Sequence, residues 1–152
     1  MNIYTYAMKL EKESELYYRE LARQSPYTGL REIFIILANE EEKHYTLFEN
    51  MMKNNEINML DLETDMRAIS SILEKNKNEI NFNLMELQFY EKLILAEDDL
   101  EQFYLDKAEE IDDKEKKEVV IRIAKEEAKH KIVLENILKL IQESKTQTES
   151  IA

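Results

Sequence analysis

The chain carries one pattern twice, and the copies align without a gap at an offset of 86 residues. His44 falls on His130, and these are the only two histidines in the chain. Glu41 falls on Glu127, Ala38 on Ala124 and Glu49-Asn50 on Glu135-Asn136. Further upstream, Glu11 falls on Glu97, Glu15 on Glu101, Tyr18 on Tyr104 and Ala22 on Ala108. A repeat at fixed period dictates architecture before any other feature does. Here the unit is a pair of helices, the first bearing Glu-x6-Tyr and the second Glu-x-x-His. Residues three apart share one face of a helix, so each Glu-x-x-His offers a carboxylate oxygen and an imidazole nitrogen to the same point. The plain alternative is chance likeness between two acidic amphipathic helices, but it leaves unexplained why the only two histidines of the chain coincide.

Composition supports an all-α chain of a single domain. There is one Gly and one Pro in 152 residues, and both sit in Gln24-Ser25-Pro26-Tyr27-Thr28-Gly29, which reads as an inter-helix turn. The absence of Cys excludes disulfides, thiolate metal sites and a rubredoxin-type iron centre within this sequence. A formal net charge of -12 argues against nucleic-acid binding, which needs phosphate-neutralising Lys and Arg. No signal-like apolar segment opens the sequence, and no apolar run approaches the roughly 20 residues that span a bilayer. The expectation is a cytoplasmic protein without a membrane partner.

Apolar periodicity predicts four long helices. The first runs from about Ile3 to Gln24, with Tyr4, Ala7, Met8, Glu11, Tyr18 and Ala22 near one stripe. The second runs from about Leu30 to Lys53, stopped by Asn54-Asn55, with Ile33, Phe34, Leu37, Glu41, His44, Phe48 and Met51 inward. The third occupies about Leu84 to Glu110, with Tyr90, Leu93, Glu97, Leu100 and Tyr104 inward. Asp112 and Glu115 have capping-box spacing for the fourth. That helix continues to about Glu143, carrying Val120, Ile123, Glu127, His130, Leu134, Ile137 and Ile141 inward. Residues 1–143 thus form the bundle, and the polar residues 144–152 are expected to be a flexible tail. The segment of about 55–83 is too long for a turn. A helix of about 22 residues is about 33 Å long, so this segment can cross from one end of the bundle to the other, with a short helix over Asp65–Lys75. Two tight turns and one long crossover imply a four-helix bundle in up-down-down-up order.

Together Glu11-x6-Tyr18, Glu41-x-x-His44, Glu97-x6-Tyr104 and Glu127-x-x-His130 resemble the rubrerythrin-type di-iron domain of the ferritin-like superfamily. The resemblance covers about residues 3–143 and is weakest in the crossover. It implies a ferritin-like fold with two iron ions, held by Glu11, Glu41, His44, Glu97, Glu127 and His130. Glu41 and Glu127 would bridge the metals, Glu11 with His44 and Glu97 with His130 completing the two spheres. Glu40 and Glu126, four residues before each histidine, are rivals to the bridging pair: on a helical wheel they lie about 60° from the apolar axis, against about 40° for Glu41 and Glu127. One imidazole per metal with mostly oxygen ligands suits Fe or Mn, and Zn is a possible substitute. Tyr18 and Tyr104, two turns beyond Glu11 and Glu97, are either donors to ligand carboxylates of neighbouring helices or simply large core residues. Glu15 and Glu101 are expected at the surface or rim rather than among the ligands.

The resemblance implies an oxidoreductase that reduces hydrogen peroxide or dioxygen, and a homodimer. The Cys-rich module of full rubrerythrins is missing, so electrons would come from an external rubredoxin-like protein. Rubrerythrins also often carry a further carboxylate one turn after the third-helix ligand, where this chain has Leu100. The alternative is therefore a non-catalytic iron-binding or iron-buffering protein built on the same helices.

Overall fold

The computed structural model describes residues 2–59, 62–81 and 84–151, with the side chains of 84 and 145–151 left out. Its helices are α1 (Ile3–Gln24), α2 (Thr28–Met52), α3 (Met66–Asn76), α4 (Leu84–Ala108) and α5 (Lys114–Ile151), and a short 3-10 turn (Lys77–Glu79) follows α3. No strand occurs among the described residues.

The ends of these helices follow from local chemistry. Asn2 caps α1, its side chain accepting the Tyr4 N–H at 2.7 Å. Ser25, next to Pro26, is extended with ψ 129°, as a residue before proline prefers. α2 stops in a Schellman turn. Asn54 takes the left-handed conformation (φ 57°), and the Asn55 N–H reaches back to the Asn50 carbonyl at 2.8 Å. Asp65 caps α3 by accepting the Ala68 N–H at 3.0 Å. For α5 the cap is Asp113 rather than the expected Asp112. Its Oδ1 accepts the Lys116 N–H at 3.1 Å, the third N–H beyond its own residue and one of the two that a capping oxygen can reach. α5 continues to Ile151 instead of stopping near Glu143. No Gly or Pro follows Glu143 to interrupt it.

Gly29 lies within the first turn of α2, not in the loop where its sequence context put it. A Cβ there would fall 2.6 Å from the Asn76 side chain. The glycine therefore permits the end of α3 to approach the start of α2.

The core divides into two apolar clusters. One gathers Tyr18, Ile33, Phe34, Leu37, Tyr90, Leu93, Leu134 and Ile137; the other gathers Tyr4, Ala7, Phe48, Met51, Tyr104, Val120 and Ile123. On each of α1, α2, α4 and α5 the stripe passes from one cluster to the other, and the residues between them are acidic or histidine. The crossover joins the same two regions: Leu62 packs in the second cluster, and Ile69, Leu73 and Ile80 in the first. Burying such a Leu, Ile or Phe contributes about 1.5–3 kcal/mol. That gain offsets the cost of the polar layer held between the clusters.

Candidate metal centre

The polar layer contains Glu11 from α1, Glu41 and His44 from α2, Glu97 from α4, and Glu127 and His130 from α5. All are 0% exposed except Glu97, at 4%. They form two overlapping groups, Glu11-Glu41-His44-Glu127 and Glu41-Glu97-Glu127-His130, with ligand-capable atoms within 4.8 Å of one another in each. Glu41 and Glu127 belong to both. The imidazoles lie 5.8 Å apart, nearly parallel at 11°. Each presents Nδ1 inward: that of His44 is 2.8 Å from Glu127 and 3.5 Å from Glu11, and that of His130 is 3.1 Å from Glu41 and 3.4 Å from Glu127. The structure thus brings together all six side chains singled out from the sequence.

The two tyrosines brace the layer reciprocally. Tyr18 of α1 donates its hydroxyl to Glu97 Oε1 of α4 at 2.7 Å, while Tyr104 of α4 donates to Glu11 Oε1 of α1 at 2.7 Å. Each phenol thereby fixes one carboxylate oxygen and leaves Oε2 turned to the cluster, where it has no hydrogen-bond partner. Burial and the adjacent glutamates hold both phenols well above their ordinary pKa, so they remain donors.

Glu40 and Glu126 are buried too, but belong to neither group. Glu40 Oε1 accepts from Lys43 at 3.2 Å, and Glu126 Oε1 accepts from Lys129 at 3.1 Å. Glu15, expected at the surface or rim, is only 5% exposed. It is held there by Arg19 at 2.7 Å and Lys12 at 3.2 Å rather than by the cluster. Glu101 is half-buried. Sequence reasoning missed Thr64. It is 2% exposed, its N–H donates to Glu126 Oε2 at 3.2 Å, and its Oγ1 is 3.4 Å from His130 Nε2. Nothing in Glu63-Thr64-Asp65 distinguishes it, because the contact depends on where the crossover lands.

Six ionisable groups packed this closely compete for protons. Burial followed by the Glu41 charge raises Glu11 to about 7. Burial and the surrounding carboxylates, Glu11 first, push Glu127 well above the ordinary range. Glu97 is raised by burial and by Glu41. For Glu41, burial is outweighed by the facing His130 and His44, and its pKa falls. Burial would lower both histidines, but the carboxylates prevail: Glu11 and Glu41 hold His44 at about 10, and Glu41 foremost raises His130. Taking an ion out of water costs several kcal/mol unless it is matched inside. Yet Glu11 Oε2, both Glu41 oxygens, Glu97 Oε2, Glu127 Oε2 and His130 Nδ1 have no hydrogen-bond partner. These orphaned atoms are on the residues that face one another. Four carboxylates and two neutral imidazoles match two divalent cations in charge and in donor type, so the residues fit a two-metal centre.

Two surface grooves approach the layer from outside. One, of about 660 Å³, runs along α2 past Asn39, Glu40, Lys43 and Leu62. The other, of about 500 Å³, runs along α5 past Ile121, Lys125, Glu126 and Lys129.

Among the described residues, no helix is long and apolar enough to cross a membrane. Comparison with the curated proteins and with the solved structures gave no match. The rubrerythrin family model matches residues 2–138, nearly the whole helical bundle with all six buried glutamates and histidines of the polar layer. The chain belongs to the rubrerythrin family.

Proposed function

We propose that the protein is a di-iron oxidoreductase that reduces hydrogen peroxide, or dioxygen, with electrons from a separate rubredoxin-like protein. The observation that carries this reading is the pair of buried Glu/His groups sharing Glu41 and Glu127. In this reading Glu41 and Glu127, which belong to both groups, would be shared by the two metals, Glu11 and His44 would hold one, and Glu97 and His130 would hold the other. The two ferrous ions would supply the two electrons that, with two protons, convert one hydrogen peroxide to two waters. Manganese or zinc would be substitutes for iron.

The chain's own residues prepare the centre for this work. The four carboxylates offset four positive charges in a layer enclosed between apolar clusters. Tyr18 and Tyr104 hold Glu97 and Glu11 by one oxygen each, so the other oxygen is aimed without further loss of conformational freedom. The grooves along α2 and α5 bring a small polar oxidant to Glu40 and Glu126, which border the layer. The helix order up-down-down-up, a homodimer and a cytoplasmic location belong to the same proposal; sedimentation would test the dimer.

The test is anaerobic reconstitution with ferrous ion, followed by peroxide mixing and optical detection of oxidation. Oxidation of two irons per chain, much faster than that of free ferrous ion, is expected. Reaction no faster than that of free ferrous ion would leave the second reading, a non-catalytic iron-binding protein. One observation favours that reading: Leu100, half-buried, occupies the position where rubrerythrins often carry a further carboxylate.

A further inference from the structure

The internal repeat gives α2 and α5 nearly the same local chemistry, so a difference between the halves of the centre must come from elsewhere in the chain. In each half a lysine holds the outer glutamate by Oε1, Lys43 on Glu40 at 3.2 Å and Lys129 on Glu126 at 3.1 Å. The crossover breaks this equivalence. The Thr64 N–H binds Glu126 Oε2 at 3.2 Å, and Thr64 Oγ1 lies 3.4 Å from His130 Nε2. In the other half Glu40 Oε2 and His44 Nε2 are buried and have no hydrogen-bond partner among the described residues.

We propose that Thr64 is a positioning residue for His130, so that the His130 half of the centre holds its metal tightly while the His44 half exchanges its metal. The inference rests on the two-metal reading and is independent of peroxide chemistry. His130 turns Nδ1 towards Glu41 and Glu127. Ligation through that nitrogen leaves the hydrogen on Nε2, which donates to Thr64 Oγ1. A hydrogen bond at the distal nitrogen fixes both the tautomer and the ring plane. Glu126, bound at both oxygens, ties the crossover to α5 and keeps Thr64 over the ring. His44 also turns Nδ1 inward, but its Nε2–H meets no such acceptor, so packing alone restrains the ring.

The experiment loads the full chain with Co(II) and follows loss of the cobalt absorption after mixing with excess EDTA. Removing a partner that orients a ligand weakens metal binding about 10–100-fold. The wild type should therefore release its cobalt in two phases of equal amplitude, at rates at least about tenfold apart. Thr64→Val keeps the shape and the backbone N–H but removes the acceptor, and should speed the slow phase about tenfold or more while sparing the fast one. Thr64→Ser should restore two phases. In proton NMR of the cobalt protein, the His130 ring N–H should exchange slowly with solvent in the wild type and rapidly in Thr64→Val. A single phase in the wild type would overturn the proposal, as would a slow phase unchanged in Thr64→Val or equal acceleration of both phases. Two bound cobalt ions released together would sink this inference alone, whereas no cobalt binding would sink the two-metal reading with it.

Discussion

Loading the protein with two divalent cations should drive protons out of the cluster, and a lower bound on the number follows from the environment of its groups. At pH 7 His44, held at about 10, is an imidazolium and must lose one proton to bind metal. His130, raised for the same reason, adds to the release. Glu127, well above the ordinary range, adds to it again. Glu11, at about 7, loses about half of one, and the raised Glu97 adds a further fraction. His44 and Glu11 alone thus release about one and a half protons per two metals, and the other raised groups add to that. Each released proton changes the binding free energy by about 1.4 kcal/mol per pH unit. The combined affinity for two metals should thus rise by at least about one and a half powers of ten per pH unit near neutrality. Calorimetric titration with Co(II) at pH 7, in buffers of different ionisation enthalpy, measures the number directly as the slope of heat against buffer enthalpy. A release of fewer than about one proton would refute the reasoning, since the binding groups would then already be free of protons or would not be these six.

The same shifts set the pH dependence of the metal-free fold. Glu11, Glu97, Glu127, His44 and His130 all have raised pKa values, so the folded chain binds more protons than the unfolded chain above the ordinary carboxylate range. Apo stability should fall as pH rises from about 5 towards 9, and the advantage of the metal-loaded form should widen; an apo melting temperature that climbed over this range would contradict the account. Tyr18→Phe leaves Glu97 Oε1 without its donor and Tyr104→Phe does the same to Glu11. Each should cost about 1–3 kcal/mol in urea unfolding of the apo protein and weaken metal binding about 10–100-fold in competition titrations. Glu41→Gln should reduce the metal content measured after gel filtration, whereas Glu40→Gln should retain two metals per chain because Glu40 serves Lys43; the reverse result would reassign the bridging pair.

How much was legible beforehand varied with the range of the interaction. Caps, stops and stripes are local. Asn54 as a stop, Asp65 at the head of the crossover helix and the inward set of α2 could be read directly, because each depends on a few neighbouring residues. Besides the end of α5, which runs to Ile151 rather than stopping near Glu143, two local readings needed correction. The α5 cap is Asp113 rather than Asp112, two adjacent aspartates between which spacing discriminates poorly. Gly29 reads as a loop residue next to Pro26, yet it serves a close approach of Asn76, 47 positions later in the chain.

The repeat determined which six side chains could converge, since an offset of 86 residues puts the same donors on each helix pair. Helical periodicity then settled that they face inward. The tertiary structure decided the rest. The side on which Glu40 lies, about 100° from its neighbour Glu41, became distinguishable only when α5 and the crossover were in place. The Tyr18–Glu97 and Tyr104–Glu11 pairs join residues 79 and 93 positions apart, so no local pattern could match the partners. Thr64 is the clearest case. A repeat makes its two halves alike, and here a segment outside the repeat makes them differ by reaching the distal nitrogen of His130 and not that of His44.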